Sequence, residues 1–219
     1  NKHMSIIIER FKKIKANIDE IKPKKKVKII AISKTFDLDH IKPLIDHGHE
    51  HFGENKVQEA IAKWKEIKNL RQNLKLHMVG KLQSNKAKNA VEIFDYIHSL
   101  DNQKLVDILS KCQKNTNKQL KYFIQVNIGN ELQKSGISVS ELDSFYTYCT
   151  QEIKLNVIGL MIIPPNDEQT TKYFKSIEEI NNSLALNELS MGMSADYLEA
   201  IKYSATFVRI GSSIFGSRS

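Results

Sequence analysis

Lys34 closes the run Lys28-Ile29-Ile30-Ala31-Ile32-Ser33-Lys34-Thr35, an apolar, β-branched stretch that predicts a buried strand ending in a primary amine. Removing an amine from water disfavours its charged form, and a neutral amine can attack an aldehyde. Lys34 therefore has two readings: a Schiff-base lysine, or a strand-end lysine snorkelling to water. Near the end of the chain, Gly192-Met193-Ser194 and Gly211-Ser212-Ser213 join glycines to hydroxyl side chains. Such segments make turns or helix caps, and they also let a backbone approach an anion closely. Ser194 reads as an N-cap, with Asp196 in the first turn of the helix it opens. Arg209 lies two residues before the second segment. A guanidinium cannot accept a proton, so beside a ring nitrogen it would leave that nitrogen unprotonated; the competing reading is a structural ion pair.

Short apolar strands that alternate with amphipathic segments must position these groups. An opening helix from about Ser5 carries Ile7, Phe11, Ile14, Ile18 and Ile21 on one stripe. Strands are expected at about 27–33, 50–52, 75–79, 93–98, 122–128, 155–160, 189–191 and 206–210. Helices are expected from Asp37 to Ile45, over Val57 to Ile67, from about Gln83, at 102–115, at 139–150 and at 167–184. Trp64 falls on the helical stripe with Val57, Ala60, Ile61 and Ile67, which assigns it to the core. Eight strand–helix units imply a single α/β domain over residues 1–219, a closed (β/α)8 barrel with an extra N-terminal helix, and Asn1-Lys2-His3 reads as a cloning remnant. The turn after the first strand lacks a G-x-G-x-x-G pattern, which argues against a dinucleotide site.

A barrel gathers the ends of its strands on one rim. Lys34, Gly53-Glu54-Asn55, His77-Met78-Val79-Gly80, Gly192-Met193-Ser194 and Arg209 to Ser213 would then converge. An amine, an anion cradle after the last two strands and a partner for a planar ring together suggest pyridoxal 5′-phosphate.

Composition limits the other classes. The chain of 219 residues is 41% hydrophobic and 26% charged, as expected of a soluble globular protein. Its longest apolar run, Val157 to Ile163, is too short to span a bilayer, and no signal peptide is visible. Cys112 and Cys149 lie far apart without metal spacing, which fits two ordinary thiols in a reduced cytoplasm. The net charge of +8 invites a nucleic-acid reading, yet of the 33 basic residues only Arg10, Arg71, Arg209 and Arg218 are arginine. The lysines are dispersed apart from the Lys22 to Lys26 segment, so most of the charge reads as solvated surface and no specific nucleic-acid partner is expected. His47, His49 and His51 alternate as metal ligands could, but the intervening Gly48 and ordinary histidine exposure favour surface positions.

Seven segments carry a family resemblance: Ala31 to Thr35, Phe52 to Asn55, His77 to Lys86, Lys134-Ser135-Gly136, Gly159-Leu160-Met161, Leu189 to Ser194 and Val208 to Gly211. In this order the chain resembles the pyridoxal phosphate homeostasis protein family, which is similar to the N-terminal barrel of alanine racemase. The resemblance implies a Schiff base at Lys34, phosphate contacts from Ser194, Gly211 and Ser212, a ring-nitrogen contact from Arg209, and a pocket lined by Asn55 and Met193. It also implies a cytoplasmic monomer that holds this vitamin B6 coenzyme, buffers it, and delivers it to apo-enzymes. Lys81 stands where many relatives have another residue, often proline.

Racemisation needs an acid/base group on each face of the substrate carbon. Lys34 could supply one. The chain ends at Ser219 directly after the eighth strand, so the racemase's additional β-domain is expected to be absent. Tyr197 and Tyr203 are the tyrosines available nearby. The sequence therefore favours a non-catalytic carrier, with no catalytic residues and no metal. The alternatives are a slow amino-acid racemase or related enzyme, a basic nucleic-acid-binding protein, and an interaction module whose site is a relic.

Overall fold

A computed structural model describes residues 2–217, and the side chains of residues 6–217. Asn1 and Arg218 lie outside the described residues. Helix α1 (Lys2–Ile21) precedes β1 (Lys28–Ile32), α2 (Leu38–Asp46), β2 (His51–Glu54), α3 (Val57–Leu70) and β3 (Lys75–Met78). A 3-10 turn at Ser84–Lys86 leads into α4 (Ala87–Ile93), then β4 (Tyr96–Leu100), α5 (Gln103–Lys114) and β5 (Lys121–Asn127). The two-residue strand β6 (Ile137–Ser138) leads into α6 (Val139–Thr147), whose end continues as a π-helical turn over Tyr148–Glu152. The remainder is β7 (Val157–Met161), α7 (Thr170–Ser183), β8 (Glu188–Ser190), α8 (Tyr197–Lys202), β9 (Phe207–Ile210) and α9 (Ser212–Phe215).

Every strand pairing is parallel, and β4 pairs with β5, so β1, β2, β3, β4, β5, β7, β8 and β9 form a closed eight-stranded barrel ringed by helices. The side-chain period of two splits each strand between two cores. In β1, Ile29 and Ala31 pack outward with the helices, while Ile30 and Ile32 join Tyr96, Phe123, Met161 and Phe207 inside the barrel. Helix α1 presents Ile7, Phe11, Ile14 and Ile18, each no more than 5% exposed, to the outer core. At roughly 1.5–3 kcal/mol for each such buried side chain, this stripe is what docks α1.

Several boundaries differ from the sequence expectation. The fourth strand begins at Tyr96, because α4 runs through Ile93 and Phe94 leaves helical geometry at ψ 149. The helix expected from Gln83 starts as the 3-10 turn. Gly53 and Glu54 belong to β2 rather than to the loop after it. Asp37 caps α2 as expected, its side chain accepting from the His40 amide. Ser194 is not an N-cap: α8 begins at Tyr197, with Asp196 in the cap position. The reason is a local turn in which the Met193 amide donates to Asp196 Oδ1 at 2.8 Å and the Met193 carbonyl accepts from the Asp196 and Tyr197 amides. The surface assignment of His49 and His51 also fails. Only His47 of the trio is exposed; His49 packs against Phe11 and the Ile29 carbonyl, and His51 turns into the barrel.

Candidate functional site

The C-terminal ends of the strands enclose a cavity of about 300 Å³. Residues 30, 32 and 34 share one side of β1 and its extension, so the alternation that buries Ile30 and Ile32 inside the barrel carries Lys34 to the cavity wall. Lys34 is half-buried there, and Asn55, Gln125, Met193 and Arg209 line the same space.

The strand end beneath Lys34 is held by a buried polar network. Glu54 Oε2 accepts from Ser33 Oγ at 2.5 Å, from Trp64 Nε1 at 2.9 Å and from Lys63 Nζ at 3.0 Å. Lys63 also donates to the Ser33 carbonyl at 2.8 Å and to Glu59 at 3.1 Å. Burial raises the Glu54 pKa, with Lys63 as the main opposing influence. Thr35 follows Lys34 at φ 69, a costly conformation for a β-branched residue, and its amide is clamped by Glu59 Oε2 at 2.6 Å. Glu59 and Lys63 therefore tie α3 to the turn that presents the lysine.

Arg209 is 3% exposed, and its bonds run to neutral acceptors rather than to a carboxylate: Nη1 donates to Ser190 Oγ at 2.6 Å and Nη2 to the Ile162 carbonyl at 3.0 Å. Burial pulls its pKa down to about 10. Its amide donates to the Gly192 carbonyl at 2.9 Å, which joins the turns after β8 and β9. Gly192 adopts φ +99, and a Cβ there would stand 2.8 Å from the Ala200 side chain. The structure thus brings Lys34, Asn55, Met193 and Arg209 to one cavity and places Ser194, Gly211 and Ser212 in the two adjoining turns, outside its lining. Among the described residues, no group of three or more His, Cys, Asp and Glu is arranged to hold a metal, and no helix is long and apolar enough to cross a membrane.

Sequence reasoning did not single out Gln125, Glu59 or Lys63, nor the supporting role of Glu54. Gln125 carried a usable signal: a polar residue inside the apolar run of β5, on the side of Phe123 that faces into the barrel. Glu59 and Lys63 carried none, because each reads as an ordinary helix surface residue.

These groups fit pyridoxal 5′-phosphate. Lys34 and Arg209 face a common space at the small end of the ligand-pocket range, and Gly80 is matched to Asn55, since a Cβ at Gly80 would lie 2.5 Å from Asn55 Oδ1. In the turn that opens α9 the Ile214 and Phe215 amides donate to the Gly211 carbonyl, which leaves the two amides before them, of Ser212 and Ser213, without a helical acceptor.

A barrel of this topology with this site defines a class, and comparison with known proteins agrees: the model of the alanine racemase N-terminal domain matches residues 10–219. A pyridoxal phosphate homeostasis protein from Aquifex aeolicus is 37% identical over 200 residues, covering 87% of each chain. One from Haemophilus influenzae is 38% identical over 203 residues, 88% of this chain and 85% of its own. The structure of PipY from Synechococcus elongatus with PLP bound superposes with a TM-score of 0.86 at 34% identity, over 96% of this chain and all of PipY (100%). Alanine racemase from Bartonella henselae, with covalently bound pyridoxal phosphate, shares the fold at a TM-score of 0.76 and 14% identity, over 98% of this chain and 61% of its own. The chain belongs to the pyridoxal phosphate homeostasis protein family.

Proposed function

We propose that this protein holds pyridoxal 5′-phosphate at the C-terminal mouth of its barrel and acts in intracellular homeostasis of that cofactor, releasing it to apo-enzymes. The observation that carries the reading is the meeting of Lys34 and Arg209 in one cavity. When bound, the cofactor supplies an electrophilic aldehyde and an electron-accepting ring. Lys34 would be the covalent tether, presented by the turn that Glu59 and Lys63 clamp. Arg209 would face the ring nitrogen as a permanent donor, which leaves that nitrogen without a proton and the ring a weak electron sink. Asn55 and Met193 would contact the ring, and the turns at Ser194 and at Gly211-Ser212 would take the phosphate. Lys34 would be a replaceable tether: an incoming amine that took its place would pass its proton to Lys34, return it as the free amine, and carry the cofactor away bound to itself, with no hydrolysis needed.

The carrier reading is favoured over a racemase by where the available tyrosines sit. Tyr197 is buried on α8 with its hydroxyl 3.3 Å from Asn17 Nδ2 of α1, and Tyr203 caps the far end of α8. Neither lines the cavity to provide a second acid/base group opposite Lys34. We further propose a cytoplasmic monomer. Borohydride reduction of the loaded protein followed by peptide mapping tests the assignment: the reduced adduct is expected on Lys34 and is expected to vanish in Lys34→Ala. An adduct on another lysine refutes the site, and turnover of amino acids by the loaded protein refutes the carrier reading.

A further inference from the structure

Three imidazoles cross the interior of the barrel in series. His51 Nδ1 and His77 Nε2 are 2.9 Å apart, His77 Nδ1 and His98 Nε2 are 2.9 Å apart, and His98 Nδ1 lies 2.8 Å from Ser190 Oγ. Ser190 Oγ in turn accepts from Arg209 at 2.6 Å. A continuous line of hydrogen bonds therefore runs from β2 through β3, β4 and β8 to the guanidinium on β9. The rings are locked in place: Tyr96 stacks on His77 at 4.0 Å, Phe123 stacks on His98 at 4.3 Å, and Phe207 packs against all three imidazoles.

The line has one permitted sense. Arg209 can only donate, so the two partners of Ser190 Oγ leave its hydroxyl proton a single acceptor, His98 Nδ1. A buried hydroxyl donor without an acceptor is costly, so His98 must accept at Nδ1 and carry its proton on Nε2. His98 then donates to His77 Nδ1, and His77 Nε2–H donates to His51 Nδ1. Each neutral group turns its lone pair towards Arg209 and its N–H or O–H away. Such an aligned chain strengthens the bonds within it. It also meets a specific need, because among the described residues Arg209 has no carboxylate within ion-pair distance despite its burial.

We infer that His51, His77 and His98 are positioning residues which, through Ser190, polarise and orient the Arg209 guanidinium at the floor of the cavity. This rests on the cofactor reading only in what Arg209 is held for; the chain itself is a property of the protein alone. His51 is its outer end, half-buried beside Lys28, Lys75 and Asp95 at the start of the barrel.

Long-range proton–nitrogen NMR of the ligand-free protein at neutral pH tests the chain directly. All three imidazoles are expected as Nε2–H tautomers. His51→Leu removes the last acceptor and is expected to displace both the His77 ring signals and the Arg209 side-chain signals, while His51→Gln, whose amide oxygen can accept, is expected to restore them. Ser190→Ala is expected to displace the Arg209 signals and to weaken retention of added pyridoxal 5′-phosphate by about tenfold, the order expected for an orphaned buried donor. An Nδ1–H tautomer at His77 or His98 overturns the inference, as do Arg209 signals that stay unmoved in both His51→Leu and Ser190→Ala. Failure of the unaltered protein to retain the cofactor would sink the proposed function and leave the NMR result to decide the chain.

Discussion

Acidification should destabilise this protein well before its carboxylates titrate. Burial pushes His49 and His51 from 6.5 down to about 4, and pushes His77 and His98 in the same direction. With the folded value below the unfolded one, each histidine contributes stability that is complete above the unfolded value and is lost as the pH falls from 6.5 towards 4. Between about pH 7 and pH 5, an unfolded histidine takes up a proton that the folded one refuses, which costs about 1.8 kcal/mol per group and about 4 kcal/mol for His49 and His51 together. His77 and His98 add to this loss. Glu54, whose pKa is raised by burial, acts oppositely, but a single group can return at most about 2.7 kcal/mol over two pH units. Urea unfolding followed through Trp64 measures the balance. At an m-value of about 3 kcal/mol/M, the midpoint should fall by about 1 M or more between those pH values with the slope unchanged. A midpoint that is constant or rises on acidification would refute the assignment of these histidines as neutral.

Three further outcomes are expected. Glu54→Gln should cost about 3–5 kcal/mol in chemical denaturation, because it leaves Lys63, 7% exposed, without its buried carboxylate; a loss under about 1 kcal/mol would mean that Glu59 alone satisfies that lysine. Asn102→Ala removes the side chain that accepts from the Leu105 amide at the start of α5 and should lower stability by about 1 kcal/mol, with no change in cofactor retention. Burial pushes the Cys149 thiol up to about 12, so a thiol reagent should modify the half-buried Cys112 first and reach Cys149 only on unfolding; equal rates at both would contradict the packing.

The sequence alone determined the elements and one end of the chemistry. Alternating apolar strands and amphipathic helices imply the barrel, and the β-branched run ending at Lys34 puts an amine at its mouth, because strand periodicity is a local property that carries residue 34 in the same direction as 30 and 32. The glycine-hydroxyl turns beside Arg209 were legible for the same reason. Local reading failed where the deciding contacts join distant segments. Ser194 looks like a cap until the Met193–Asp196 turn moves the helix start to Tyr197. His51 looks like a surface residue until the pairing of β4 with β5 closes the sheet and makes the side facing His77 an interior. Glu54 and Lys63 become a mount for the lysine only once α3 packs across β2. Closure of the barrel decided these roles, since it converts one face of every strand into dry space where a polar side chain must find a partner from another strand.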